Sequence, residues 1–403
     1  MNEVTTIGVL GAGTMGAGIA QVAAEAGLEV LLHDPFDGAT ARARERIGGF
    51  LARKVETAQI TDAEREAAAA RLSAVGTLEE LAGADLVIEA IPEDLELKRD
   101  AFRRLDAEAA AGTILATNTS SLAVAQIASA TKHPGRVVGM HFFNPVPLMA
   151  LVEVIPGPMT DPAVADSVAL LARLLGKTPV LAADTPGFIV NRVQRAYYLE
   201  GYRIFDGGLA DVATIDDTMR SIGFRLGPFE LADLVGTDVN LAAGIAIFEG
   251  FFGDPRYRPS LVQRRVADAG RPGRKAGAGY YDYGADGSRG APWPGLVSRA
   301  AEAPRIAALT ASQIEARILA AIVNEAASAV ADGVASPVAI DTAMRLATNW
   351  PDGPLAWGES IGLGSIVRLL DELHAAVPDG RYRVTPLLRF LAGGGRSFLP
   401  ARG

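Results

Sequence analysis

Two side chains that could move a proton lie in one apolar stretch, VVGMHFFNPVPLMALVEVI (137–155), where His141 and Glu153 are the titratable residues. An imidazole titrates near neutral pH and suits general acid–base catalysis. A carboxylate is costly to bury without a partner, so Glu153 could orient the imidazole and fix its tautomer. Pro145 and Pro147 force a turn that can bring the chain back. The alternative is a core histidine bonded to a backbone carbonyl, with Glu153 on the surface.

The other three histidines fit catalysis less well. His33 precedes Asp34, His133 lies in a polar loop, and His374 lies on a late helix without another catalytic candidate nearby. His141 alone follows a predicted strand of an α/β domain, where ligands bind beyond the carboxyl ends of the strands. The chain has no cysteine, which excludes disulfides, thiolate metal sites and cysteine nucleophiles. No metal site is predicted.

A glycine-rich turn between a predicted strand and a predicted helix matches the pattern G-x-G-x-x-G. Such a turn brings backbone N–H groups and a helix N-terminus to a pyrophosphate. Asp34 ends the next strand, at about the separation expected for a carboxylate on the ribose hydroxyls. No Lys or Arg follows it to receive a 2′-phosphate, so NAD is favoured over NADP. The alternative is a turn without a ligand. The turn residues are Gly11, Ala12, Gly13, Thr14, Met15 and Gly16.

The elements that would hold these residues alternate between short apolar strands and helices as far as about residue 183. Residues 39–73 read as a charged helical pair, the second helix of which opens with a capping box at Thr61 and Glu64. The pattern predicts a doubly wound Rossmann-type α/β domain with a helical insertion after its second strand. The predicted strands cover residues 5–10, 28–34, 84–90, 113–117 and 136–140.

Beyond Thr185 the strand signals vanish, and the remainder reads as two helical blocks related by duplication. Gly208-Leu209-Ala210 and Ile215-Asp216 recur 125 residues later, and Gly227-Pro228 recurs 126 residues later. The first block is expected to be a substrate and dimerisation domain and the second to be structural. The predicted domains are therefore 1–184, 185–284 and 307–403, with a linker at 285–306.

Composition limits the class of protein. The 403 residues carry a net charge of −9 that is spread along the chain, which disfavours nucleic acid and anionic membranes as partners. No apolar stretch approaches the roughly 20 residues of a membrane span. The N-terminus runs directly into a strand pattern rather than a signal peptide. The default expectation is a soluble cytoplasmic protein.

Seven motifs occur in the order typical of one family: IGVLGAGTMGAGIA, ADLVIEAIPEDLELK, ATNTSSL, GMHFFNPVPLMALVEVI, DTPGFIVNR, GPFELADLVG and GRKAGAGYYDY. Together they resemble the L-3-hydroxyacyl-CoA dehydrogenases, including the 3-hydroxybutyryl-CoA dehydrogenases of fatty acid β-oxidation, over residues 4 to about 283. The duplicated tail resembles that of two-tailed bacterial members, some of which act on hydroxyadipyl-CoA. The resemblance implies NAD-dependent oxidation of an L-3-hydroxyacyl-CoA to the 3-oxoacyl-CoA.

The resemblance also implies roles for individual residues. His141 would be the general base and Glu153 its orienting partner, while Ser120 and Asn191 would bind the substrate's oxygens. The implied contacts with NAD, beside the glycine turn and Asp34, are Glu93, Lys98, Ser120, Asn144 and Lys275.

Without the resemblance, four of these residues have simpler interpretations. Ser120 could cap the helix that follows it, and Asn191 could cap the helix on which it lies. Lys98 could belong to the solvated face of a charged helix. Lys275 could be a mobile loop lysine.

The sequence departs from the family at two basic positions. Thr57-Ala58 replaces a Lys-Gly step that meets the coenzyme A phosphates, and Ala150 replaces a basic residue. Arg53 and Lys54, one turn earlier, could substitute. These departures leave open an NAD-dependent dehydrogenase of a free hydroxy acid or sugar acid. A non-enzymatic dinucleotide-binding protein is the third alternative, although the whole catalytic set is present.

The second helical block lacks the chemistry of the first. Ala316 stands at the position equivalent to Asn191. In one-tailed relatives two subunits meet through the helical domain, so the duplicate could occupy that interface within one chain as a pseudo-dimer, with or without further homo-oligomers. Removal of residues 300–403 would then expose an apolar surface and give dimers or aggregates.

Overall fold

The computed structural model describes residues 4–296 and 308–399. The chain divides into two compact units, Met1–Phe188 and Ile189–Gly403.

The described part of the first unit is built on an eight-stranded sheet with the strand order β3-β2-β1-β4-β5-β6-β7-β8. Neighbouring strands run parallel except for β6 and β7, which are antiparallel. The strands are β1 (Thr6–Leu10), β2 (Glu29–His33), β3 (Leu72–Ala74), β4 (Leu86–Glu89), β5 (Ile114–Thr117), β6 (Val137–Phe142), β7 (Leu151–Pro156) and β8 (Thr178–Leu181).

Helices connect the parallel strands and pack on the sheet through apolar faces. Ile19 and Val22 of the first helix, for example, share a core with Ile7 and Val30 of the sheet. The capping box predicted at Thr61 is present, with Glu64 as its second member. The helices are α1 (Thr14–Glu25), α2 (Ala39–Glu56), α3 (Asp62–Ala70), α4 (Leu95–Glu108), α5 (Val124–Ala128) and α6 (Pro162–Leu174).

The predicted doubly wound domain with a helical insertion after the second strand is confirmed. Three strands, β3, β7 and β8, were not predicted. β3 has only three residues, β8 is half-exposed, and β7 continues the same apolar run as β6, so no polar boundary marked it. β6 also extends to Phe142, so His141 lies within the strand rather than after it.

The described part of the second unit contains two sets of five helices whose bounds match one another. We call residues 190–268 repeat 1 and residues 311–394 repeat 2. Repeat 1 comprises α7 (Val190–Asp206), α8 (Val212–Ser221), α9 (Pro228–Val235), α10 (Thr237–Gly250) and α11 (Leu261–Asp268). Repeat 2 comprises α12 (Ala311–Ala331), α13 (Pro337–Thr348), α14 (Pro354–Ile361), α15 (Leu363–Ala376) and α16 (Pro386–Gly394).

The expectation that strands end at residue 187 is wrong. β9 (Tyr281–Tyr283) pairs antiparallel with β10 (Arg289–Pro292), which lies in the segment 285–306 predicted as a linker. Asp286 closes the turn between them by accepting from Ser288 N at 2.9 Å. Residues 297–307, which include most of the remaining linker, lie outside the described part of the chain.

The two repeats pack on each other through α7 and α12, and two equivalent ion pairs cross the contact. Arg192 Nε donates to Glu325 Oε1 at 2.7 Å, and Arg317 Nη2 donates to Glu200 Oε1 at 2.6 Å. Each residue of the second pair lies 125 positions from the equivalent residue of the first. The contact therefore has approximate twofold symmetry, as a symmetric dimer interface does.

A second repeated motif lies at the same contact. The sequence DPRYR (254–258) recurs as DGRYR (379–383). Tyr257 Oη donates to Glu325 Oε1 at 2.6 Å, and Tyr382 Oη donates to Glu200 Oε1 at 3.2 Å. Each glutamate thus accepts hydrogen bonds from an arginine and a tyrosine.

No single helix within residues 4–296 and 308–399 is long and apolar enough to cross a membrane. One pair, α9 with α10, passes the same test jointly by length and composition and is bent by 101°.

Candidate active site

The predicted pairing of His141 with Glu153 is present. The two residues are directly opposite each other in the antiparallel ladder of β6 and β7, so their side chains leave the sheet on the same face. His141 Nδ1 lies 2.7 Å from Glu153 Oε2. Glu153 is completely buried, and His141 is 6% exposed. The alternative with Glu153 on the surface is therefore wrong.

The carboxylate determines which ring nitrogen carries the proton. An ionised carboxylate can only accept, so a neutral imidazole beside it would carry its proton on Nδ1 and keep the lone pair on Nε2. The ring of Phe143 lies 4.5 Å from the imidazole centroid and that of Phe188 lies 5.9 Å away. The imidazole thus has a fixed tautomer, a fixed plane and apolar neighbours, which suits a general base.

The loop after β6 is held by a buried lysine. Lys177 Nζ donates to the carbonyl oxygens of Val146 and Met149, at 2.5 and 2.9 Å. Burial lowers the pKa of Lys177. The same loop contains the cis peptide bond Asn144–Pro145. Asn144 is exposed, so its side chain is accessible to a ligand.

The glycine turn has the shape that a dinucleotide needs. A Cβ on Gly16 would overlap the carbonyl oxygen of Gly11, whereas a Cβ on Gly13 would have open space around it. Within the described residues, α1 has no side-chain cap, and Thr14–Ala17 contain no acidic residue. Free N–H groups at a helix N-terminus beside open space fit a pyrophosphate. Asp34, which is predicted to bind the ribose, lies beside the same turn, because its Oδ2 accepts from Ala12 N at 2.7 Å.

Glu93 organises the loop after β5. Its Oε1 accepts from Thr119 Oγ1 at 2.7 Å and from the N–H groups of Ser120 and Ser121 at 2.9 Å each. Burial raises the pKa of Glu93, but Lys98 and these donors outweigh burial and hold it below its usual value. The structure therefore brings together the predicted residues Glu93, Lys98 and Ser120.

Two simpler interpretations fail here. α5, the helix after Ser120, is capped from elsewhere, because Asp184 accepts from the N–H groups of Val124 and Ala125 at 2.9 and 2.8 Å. Lys98 is only 1% exposed, and its Nζ lies 2.6 Å from Glu89 Oε1. The predicted contact of Lys98 with NAD stays a prediction.

Several supporting residues were missed by the sequence reasoning. Glu89 also accepts from Thr117 Oγ1 at 2.7 Å, and Asn118 Oδ1 accepts from Phe142 N at 2.8 Å, next to His141. A glutamate inside the apolar strand ADLVIEA was the available signal for Glu89. Asn118 and Asp184 had no local signal.

The other four predicted residues lie on other elements of the chain. Arg53 is exposed in the last turn of α2, and Lys54 Nζ pairs with Glu25 Oε1 at 2.7 Å. Asn191 is the second residue of α7, and Lys275 Nζ lies 3.0 Å from both carboxylate oxygens of Asp238. Their roles toward NAD and substrate stay predictions. Among the described residues, no cluster of three or more His, Asp or Glu could hold a metal ion.

Two family models match the chain. The model described as 3-hydroxyacyl-CoA dehydrogenase, NAD binding domain, matches residues 6–185. The model described as 3-hydroxyacyl-CoA dehydrogenase, C-terminal domain, matches residues 187–283 and 314–397. The chain belongs to the 3-hydroxyacyl-CoA dehydrogenase family. It is an NAD-dependent oxidoreductase, and the predicted duplication of its helical domain is confirmed.

Individual relatives agree with this assignment. A 3-hydroxyadipyl-CoA dehydrogenase of Escherichia coli strain K12 is 38% identical, with 96% of this chain and 98% of the relative covered. A probable 3-hydroxybutyryl-CoA dehydrogenase of Bacillus subtilis strain 168 is 43% identical over 70% of this chain and 98% of the relative. The crystal structure of a 3-hydroxybutyryl-CoA dehydrogenase from Escherichia coli K12 superimposes with a TM-score of 0.89 at 37% identity, covering 98% of this chain and all of the other. The non-enzymatic alternative is therefore wrong.

Proposed function

We propose that the chain oxidises the 3-hydroxyl of an L-3-hydroxyacyl-CoA, with His141 as general base and Glu153 as the residue that orients it. The observation that supports this assignment is the buried 2.7 Å hydrogen bond between His141 Nδ1 and Glu153 Oε2. It leaves Nε2 with a lone pair in apolar surroundings, which is the state that a base needs.

The proposed reaction removes a proton and a hydride from the substrate. The substrate's O–H bond breaks and its proton passes to His141 Nε2, while the C3–H bond breaks and C3 becomes a carbonyl carbon. NAD, when bound, accepts the hydride from C3. The imidazolium that forms lies against the Glu153 carboxylate, and the opposite charge stabilises it strongly because both groups are shielded from water. In the reverse direction His141 returns the proton.

The remaining predicted residues would bind and orient. Ser120 and Asn191 are proposed to donate hydrogen bonds to the substrate's oxygens and so align C3. Glu93 supports the first of these, because it fixes the backbone N–H of Ser120. The proposed NAD contacts keep their assignments: Gly11, Gly13, Thr14, Met15, Gly16, Asp34, Glu93, Lys98, Ser120, Asn144 and Lys275.

The acyl carrier and the acyl group belong to the same proposal. Arg53 and Lys54 are proposed to meet the coenzyme A phosphates, since phosphate attraction depends on charge more than on one stem position. Lys54 already balances Glu25 in the structure, so Arg53 is the more available cation. The relative matched over 96% of this chain is named for 3-hydroxyadipyl-CoA. A relative matched over 70% of this chain and the crystal structure matched over 98% of it are named for 3-hydroxybutyryl-CoA. Both acyl groups are candidates.

A substrate panel separates coenzyme A thioesters from free acids. NADH formation is measured at 340 nm with L-3-hydroxybutyryl-CoA, L-3-hydroxyadipyl-CoA, a long-chain thioester, free 3-hydroxybutyrate and a sugar acid. Turnover of thioesters with little turnover of free acids supports the proposal. The converse pattern would establish the free-acid alternative, which the departures at Thr57 and Ala150 suggest.

The base is tested by a pair of histidine variants. His141→Ala should lower kcat by about 10²–10⁴-fold, the usual contribution of a general base, with an unchanged Kd for NAD. His133→Ala is the matched control, because His133 also contacts a carboxylate, Asp106, at 3.2 Å, but its side chain is 68% exposed. Equal turnover by the two variants would contradict the assignment.

A further inference from the structure

The ion pair between Arg192 and Glu325 holds the start of the helix that carries Asn191. Arg192 directly follows Asn191 in the first turn of α7. Arg192 is completely buried. Its Nε is 2.7 Å from Glu325 Oε1, on α12 of repeat 2. The ion pair therefore links the first turn of α7 to repeat 2.

Arg192, beside Asn191, has one more carboxylate partner than Arg317, its counterpart in repeat 2. Arg192 Nη2 also donates to Ser328 Oγ at 3.1 Å and to Asp332 Oδ2 at 2.5 Å, and its guanidinium lies 4.8 Å from the ring centroid of Phe251. The equivalent Arg317 follows Ala316 and bonds to Glu200 and to Tyr382. Asp332 has Gly207 as its counterpart. The extra carboxylate thus serves only the arginine beside Asn191.

We propose that Glu325 is a positioning residue: repeat 2, through the Glu325–Arg192 ion pair, fixes the first turn of α7 and so orients Asn191 toward the substrate. This inference rests on the proposed role of Asn191. Small displacements of a substrate-positioning group cost large factors in rate, because the reacting atoms leave their near-attack geometry. Repeat 2 therefore supports catalysis without touching the substrate.

The pseudo-symmetry supplies the control for the experiment. Glu325→Gln and Glu200→Gln each remove the charge of a buried glutamate from one of two equivalent ion pairs, but only the first pair adjoins Asn191. Both variants should lose thermal stability to a similar degree. Glu325→Gln should lower kcat/KM for L-3-hydroxybutyryl-CoA about tenfold, with an unchanged Kd for NAD, whereas Glu200→Gln should stay within about twofold of the parent.

A double-mutant cycle separates this inference from the proposed function. Asn191→Ala alone should lower kcat/KM about a hundredfold, as loss of a hydrogen-bond donor to a substrate oxygen does. Glu325→Gln should add little to Asn191→Ala, because it acts through that side chain. If Asn191→Ala has no effect, the proposed role of Asn191 fails. If Asn191→Ala has its effect and Glu325→Gln is either silent or fully additive, only the positioning inference fails.

A second pair of variants tests the inference if Glu325→Gln folds poorly. Arg192→Lys keeps the charge but loses the fork that reaches Glu325 and Asp332 together, and Arg317→Lys makes the same change beside Ala316. A loss of kcat/KM confined to Arg192→Lys supports the inference. Equal losses in the two variants would overturn it, since they would show a general effect on the helical unit.

Discussion

Repeat 1 and repeat 2 share a framework but differ in chemistry. Each described repeat has five helices, an arginine and a buried glutamate that form ion pairs across the shared contact, and one aspartate that caps an inner helix. Repeat 1 also carries Asn191, where repeat 2 has Ala316, and is followed by the segment with Lys275. The two repeats thus share the charges and caps of the framework, while the residues proposed for the chemistry occur in repeat 1 and the segment after it.

The two repeats share one helix cap, but the surroundings of the capping aspartate differ between them. Asp216 accepts from the N–H groups of Phe229 and Glu230 at 3.0 Å each, and Asp341 does the same at the start of α14. A Cβ at Gly227 or at the equivalent glycine would overlap the aspartate, which explains the repeated Gly-Pro step. Burial raises the pKa of Asp216 to about 8 and that of Asp341 to about 6. Glu230 raises the first further, and its counterpart in repeat 2 is an alanine.

The largest expected effect comes from removing repeat 2. A chain that ends at residue 299 would lose the partners of Arg192 in repeat 2 and would expose the face of α7 that packs on α12. An exposed apolar face of this kind promotes association between copies. We expect dimers or aggregates rather than a monomer, measured by size-exclusion chromatography with light scattering.

Charge complementarity sharpens this prediction. By the pseudo-symmetry, Arg192 of one truncated copy would face Glu200 of a second copy. Arg192→Glu in the truncated chain would place two carboxylates together and should abolish the dimer. A truncated chain that stays a stable monomer would contradict the pseudo-dimer interpretation.

An intermediate effect is expected at Lys275, in the segment that follows repeat 1. Lys275→Ala should raise KM for NAD about tenfold if this cation meets the cofactor, since charge-assisted hydrogen bonds contribute about 1.5–3 kcal/mol. Asp238→Ala breaks the same exposed ion pair but keeps the cation. Both variants should change the thermal midpoint by no more than about 4 °C, because exposed pairs contribute little. Equal KM values in the two variants would show that the ion pair alone matters.

The smallest effect concerns pH and distinguishes the two caps. Between pH 6 and 8 the folded state retains the Asp216 proton, whereas an unfolded aspartate has lost it. Stability therefore falls as pH rises through this window, by at most about 1.4 kcal/mol per pH unit. Asp216→Asn should flatten the decline, and urea unfolding at pH 6, 7 and 8 measures it.

Asp341→Asn is the matched variant, and it should leave the slope between pH 6 and 8 unchanged. Because the pKa of Asp341 lies near 6, its contribution falls between about pH 4 and 6. A flattened slope in Asp341→Asn, with an unchanged one in Asp216→Asn, would reverse the order of the two pKa values.

Much of the fold and of the site could be predicted because the signals are local. Buried parallel strands read as apolar runs, and a glycine turn before a helix reads as a phosphate loop. The His141–Glu153 pair was predictable because only twelve residues separate its members and neither suits an apolar stretch alone. The repeated Ile-Asp and Gly-Pro steps revealed the duplication because each aspartate caps the helix that each proline begins.

The remainder depends on distant contacts. Lys98 lies on a helix rich in charge, and its burial follows from Glu89 on a neighbouring strand rather than from its own pattern. Arg192 and Glu325 are 133 positions apart, and no local pattern joins them. β7 was missed because the turn between two apolar strands contains hardly any polar residues.

The covalent link between the repeats has a consequence for dilution. The association of two separate subunits depends on their concentration, and the subunits dissociate when that concentration is low. On one chain the same contact forms at a fixed effective concentration set by the connecting segment. Repeat 2 is therefore available to pack on α7 at any expression level, including in a cell that makes few copies of this enzyme.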